Sequence, residues 1–113
     1  MEKGISELQQ RILQIAYKNR EGFPRCKVDT SAREVLVKVY GFKPVDDIGK
    51  AEPRALLFDR KAIGIKKYQA ASVSVAKSFN RLVARGLADR EYNYGIKLTR
   101  AGVGLVEQWL KTQ

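Results

Sequence analysis

The segment from Ser72 to Leu87 constrains this chain more than any other. Val75, Phe79, Leu82 and Val83 recur at helical spacing, and Gly86-Leu87 stops the run. One face of a helix must therefore be buried against other elements. Ser74, Lys77, Ser78, Arg81 and Arg85 recur at spacings of three and four on a different face, which meets water or a polyanion. A helix of this kind gains most of its stability from packing, so the rest of the chain must supply its partners. With 113 residues, 44% of them apolar, one domain suffices. A chain of this size buries roughly 65% of its unfolded surface without disulfide staples.

The partners are legible in outline. Ser6 to Asn19 reads as a helix, with Ser6 and Gln9 as a capping box and Ile5, Leu8, Ile12, Ile15 and Ala16 on one face. Gly22-Phe23-Pro24 opens a loop to about Thr30. Ser31 with Glu34 is a second capping box, followed by Ala32, Val35, Leu36 and Val39 at helical spacing and Gly41 as the stop. The alternation of Val35, Val37 and Val39 also fits a strand, but both ends carry helix signals. Residues 41–57 read as an irregular insertion broken by Pro44, Asp46-Asp47, Gly49 and Pro53. Asp59 caps a third helix, with Phe58 and Ile63 as a hydrophobic staple. Lys66 and Lys67 then fall at the end of that helix, where cations suit its dipole and phosphate is a second partner. After the helix at about 72–85 comes a hairpin, Leu87–Glu91 and Ile96–Leu98, around Asn93-Tyr94-Gly95. Thr99 caps a last helix from Arg100 to Lys111, with Val103, Val106 and Leu110 on one stripe and Trp109 beside it.

The charge is not spread evenly. The chain has 22 basic and 12 acidic side chains, a formal +10. Residues 1–59 carry only +2 of it and residues 60–100 carry +8. A field concentrated in this way attracts phosphates and releases counterions on contact. With no histidine and the single Cys26, the chain offers no histidine-based nucleophile system, no internal disulfide and no thiolate-rich zinc site. No catalytic residue, metal or cofactor is expected. No apolar run approaches the roughly 18 residues of a membrane span, and Met1-Glu2-Lys3-Gly4 lacks a signal-peptide core. The expectation is a basic cytoplasmic protein.

The run Ser72-Val73-Ser74-Val75-Ala76-Lys77-Ser78-Phe79-Asn80-Arg81-Leu82-Val83-Ala84-Arg85-Gly86-Leu87-Ala88-Asp89-Arg90 resembles the recognition helix and first wing strand of MarR-like transcriptional regulators. Leu98-Thr99-Arg100-Ala101-Gly102 is similar to the Leu-Thr-x-x-Gly with which many of those proteins leave the wing. The resemblance covers about residues 59–104. It implies a mainly α fold with a small β-hairpin, a winged helix-turn-helix, and sequence-specific binding of double-stranded DNA by a small non-catalytic regulator.

On that reading Ser72 and Ser74 lie near the positive end of the recognition helix, where hydroxyls and backbone N–H groups meet phosphate. Lys77 and Arg81, one turn apart, reach base edges or phosphates, Ser78 lies beside them, and Arg85 meets the DNA backbone. Arg90 and Lys97 face outward from the wing toward phosphates while Ile96 and Leu98 return to the core. Tyr92 and Tyr94 flank Asn93 near the wing tip, where a ring either meets the nucleic acid backbone or, the favoured reading, one ring covers the hairpin and the other is simply exposed. Ile5, Leu8 and Ile12 with Val106, Trp109 and Leu110 serve either a homodimer or the monomer's own core.

The short terminal helices and the length of the 41–57 stretch depart from the MarR-like pattern. A plasmid or phage replication or partition accessory is the nearest functional neighbour, and winged helices also contact RNA or protein. Asp46, Asp47, Asp59 and Lys61 superficially resemble a metal-dependent nuclease, but that chemistry needs a mixed sheet for which no set of strands is present.

Overall fold

The computed structural model describes residues 5–22, 27–43, 58–91 and 95–112. Its elements are α1 (Glu7–Lys18) with a 3-10 turn at Asn19–Glu21, β1 (Asp29–Ser31), α2 (Ala32–Lys38), α3 (Arg60–Ile63), α4 (Ile65–Ala84), β2 (Ala88–Glu91), β3 (Gly95–Leu98) and α5 (Arg100–Lys111). The described chain is mainly helical with one small antiparallel sheet. No described helix is long and apolar enough to cross a membrane.

Four of the five described α-helices, α1, α2, α3 and α5, start where their capping residues stand. Ser6 Oγ accepts from the Gln9 N–H at 3.1 Å, Ser31 Oγ from the Glu34 N–H at 3.2 Å, and Thr99 Oγ1 from the Gly102 N–H at 3.2 Å. Asp59 Oδ1 accepts from both the Lys61 and Ala62 N–H groups, at 3.0 and 3.2 Å. Each oxygen satisfies a donor that the helix leaves without an internal partner. α2 closes through Gly41, whose N–H donates to the Val37 carbonyl. α4 closes through Gly86, at φ 75°, with Gly86 N–H to Val83 O and Leu87 N–H to Leu82 O, a Schellman motif.

The second capping box hides another role. The Glu34 side chain is buried, and its Oε1 accepts from Asn19 Nδ2 at 2.7 Å and from Thr30 Oγ1. Its Oε2 pairs with Lys38 Nζ at 3.0 Å. One carboxylate thus joins the end of α1, β1 and α2.

The hairpin is present, but it is two-thirds of a sheet. β3 is central, in the order β1-β3-β2, with Thr30 opposite Ile96 and Ala88 opposite Leu98. β1 falls inside the stretch expected to be loop. Three residues carry no periodicity of their own, and pairing with a distant strand makes them one. Thr30, Ile96, Ala88 and Leu98 share the face turned to the helices and are all buried.

Against this face pack Ile12, Leu13 and Ala16 of α1, Val35 and Leu36 of α2, Val75, Phe79 and Leu82 of α4, and Val106 of α5. Ile5, Ile12 and Val106, candidates for a dimer, are buried within the monomer. Leu110 departs from its expected stripe and is 52% exposed, because Gly102, Val106 and Trp109 meet the core beneath α5.

Candidate nucleic-acid interface

α4 sets the geometry of the basic region, and it is longer than its periodicity suggests. It runs for 20 residues from Ile65, not from Ser72. Gly64 explains the start. At φ 108° it adopts a backbone that L side chains rarely reach, so α3 ends there after one turn and α4 begins immediately.

Four expected placements change as a result. Ser72 is the eighth residue of the helix and Ser74 the tenth, so neither lies at its positive end. Lys66 and Lys67 are not at a helix C-terminus but in the first turn of α4, which has no acidic residue and no side-chain cap. Cations there oppose the macrodipole, each at a cost of roughly 0.3–1 kcal/mol, and raise the positive potential at that end.

The exposed face also differs in one member. Ser78 is buried, at 7% exposure, because it belongs to the stripe Ala71, Val75, Ser78, Leu82 that faces the core. Its four-residue spacing from Ser74 is shared by both faces, and only packing assigns it. Ser72 is half-buried. Ser74, Lys77, Arg81 and Arg85 are exposed as expected, and Lys66, Gln69, Ala70, Val73 and Asn80 join the outer surface.

The segment that forms α3 and α4 carries charge of one sign. No acidic residue occurs between Asp59 and Asp89, while Arg60, Lys61, Lys66, Lys67, Lys77, Arg81 and Arg85 lie in that interval. Among the described residues no ion-pair partner is present for Lys66, Lys77 or Arg81. All three side chains are exposed.

An aromatic ladder anchors this end of α4. Phe42, after α2, stacks with Tyr68 at 6.2 Å between ring centroids, with Tyr40 on one side and Phe58 on the other at 5.6 and 5.8 Å. Arg60 lies over the Tyr68 ring at 5.2 Å and Lys67 over Phe42 at 5.8 Å. The ladder was not legible in advance, since its rings come from three separate segments and share no period.

In the hairpin, Arg90 and Lys97 are both exposed but lie on opposite faces of the sheet. Arg90 is opposite Ile96, on the face turned toward the helices, whereas Lys97 is opposite Asp89 on one side and Asp29 on the other. Directly opposed side chains are about 5 Å apart at Cβ, so two carboxylates temper the field of Lys97.

Asp59, the carboxylate nearest a nuclease-like pattern, caps α3 through Oδ1. Cys26, Asp46, Asp47, Tyr92, Tyr94 and residues 44–57 of the expected insertion lie outside the described residues. No family model matches the chain, and neither a curated protein nor a solved structure is significantly similar to it.

Proposed function

We propose that this chain is a winged helix-turn-helix protein that binds double-stranded DNA, with α4 in the major groove and the β2–β3 hairpin as its wing, acting as a small transcriptional regulator without catalysis. The reading is supported by the order α1, β1, α2, α3, α4, β2, β3 with strand order β1-β3-β2. A single observation carries it. The longest helix presents Lys66, Lys77 and Arg81 to solvent in a stretch free of acidic residues, next to a hairpin that exposes Arg90 and Lys97. An α-helix fits the major groove, and neutralised phosphates release counterions.

The deciding experiment is titration of duplex DNA across a salt series, with structured RNA as competitor at matched salt. Duplex affinity that falls steeply with salt, and that Lys77→Ala and Arg81→Ala weaken, supports the proposal. Preference for RNA, or indifference to both substitutions, rejects it.

A further inference from the structure

We propose that Gln69 and Val73 are specificity residues that read adenine–thymine pairs in the major groove, an inference that rests on α4 being the inserted helix. Val73 is 51% exposed. A branched apolar side chain gains nothing from water there, and its helix propensity is lower than that of the alanine that would replace it. It stands among Lys66, Gln69, Ala70 and Lys77, all exposed. Gln69 and Val73 are four residues apart and Ala70 and Val73 three apart, so the three are surface neighbours. Lys66 lies one turn before this neutral trio and Lys77 one turn after it, suitably placed for phosphates on either side.

The chemistry of the trio matches one kind of base pair. A carboxamide offers a donor and an acceptor side by side, and adenine alone presents an acceptor, N7, next to a donor, the N6 amine. Thymine alone presents a methyl group, the natural neighbour of the Val73 methyls. Ala70 has no side chain beyond Cβ and lets the helix backbone approach the base edges.

The test uses the full chain and a random duplex library, followed by affinity measurements on the enriched duplex. In one version thymine is replaced by deoxyuridine, which lacks the methyl group. In another adenine is replaced by 7-deazaadenine, which lacks N7. Deoxyuridine should weaken the wild type about fourfold and leave Val73→Ala unaffected. The 7-deaza analogue should weaken the wild type by about 5- to 100-fold and leave Gln69→Ala unaffected. Both variants place alanine at exposed helical positions, and an unchanged helical circular dichroism signal confirms their fold. If the analogues affect wild type and variants alike, or if no sequence is enriched, the inference fails while salt-dependent duplex binding, weakened by Lys77→Ala, still stands. Absence of duplex binding overturns both.

Discussion

The Cα of Gly102 sits against the carbonyl of Leu87, so close that a methyl group built on it would meet the oxygen at 2.1 Å. The same carbonyl accepts the Thr99 N–H at 3.1 Å, and Thr99 Oγ1 donates to the Gly86 carbonyl at 2.6 Å. The Arg85-Gly86-Leu87 turn that ends α4 and the Leu98-Thr99-x-x-Gly102 run that starts α5 are thus two halves of one joint. It closes the hairpin at its base and holds both helices to the sheet.

Gly102→Ala should therefore destabilise the protein by about 1–3 kcal/mol, since a backbone carbonyl cannot move aside as a side chain can. Gly104, in the same helix, is exposed, and a methyl group added there would have nothing within 4 Å. Gly104→Ala should stabilise by about 0.5–1 kcal/mol through helix propensity alone. Denaturant midpoints of the two variants should move in opposite directions.

Phe79 and Ser78 are neighbours on the buried side of α4. Phe79→Ala should cost about 3–5 kcal/mol in thermal or chemical unfolding. Ser78→Ala should leave duplex affinity unchanged at any salt concentration. A loss of binding in that variant would contradict the placement of the Ser78 hydroxyl in the core.

Lys77 and Lys97 should behave differently although both are exposed lysines. Lys77→Ala should weaken duplex binding by about 1–3 kcal/mol if it reads a base, or reduce the salt slope by about 1 if it meets phosphate. Lys97→Ala should change the slope by less than about 1, because Asp89 and Asp29 stand opposite it. In an Asp89→Asn background the Lys97 contribution should grow, which paired salt titrations would measure.

Glu34 tests the junction of α1, β1 and α2. Glu34→Ala strands the buried Thr30 hydroxyl and one N–H of the half-buried Asn19 amide, whose nitrogen still donates to the Asp29 carbonyl at 2.8 Å, and should cost about 1–3 kcal/mol. Lys38→Ala removes only the half-exposed partner and should cost less than about 1 kcal/mol. Equal losses in equilibrium unfolding would argue against the carboxylate as the hub.

Tyr17 donates to Glu107 Oε2 at 3.2 Å under the Arg20 guanidinium, and burial holds its phenol above the usual 10.0, with Arg20 opposing and Glu107 reinforcing the shift. A raised acid pKa favours the neutral form in the folded state, so its stabilisation is complete below the unfolded value and declines as pH rises through the folded one. Absorbance titration should show a late-ionising tyrosine that Tyr17→Phe removes. The same substitution should reduce the loss of stability above about pH 10.

Much of the local structure was legible because it depends on near neighbours. Ser6, Ser31, Asp59 and Thr99 start helices through bonds to residues two or three positions on, and Gly41 and Gly86 end them. The apolar stripe of Val75, Phe79 and Leu82 identifies the helix that the core is built around. What failed was of another kind. β1 exists only because β3 lies beside it, and Ser78 fits either face until packing selects one. The start of α4 turned on the backbone of Gly64, and a glycine inside a helical pattern is read equally as an interruption or as a tolerated residue.

The sequence by itself determined where the charge lies, with +8 in residues 60–100 and no acid from Arg60 to Ala88, because charge is a property of residues in order. Only the tertiary structure decided which of those cations share a surface. Lys66 and Lys67 moved to the head of α4, Arg90 and Lys97 separated to opposite sheet faces, and Gln69 and Val73 entered the candidate interface. Each of these depends on where a helix begins or which strand lies alongside, and both are set by long-range packing.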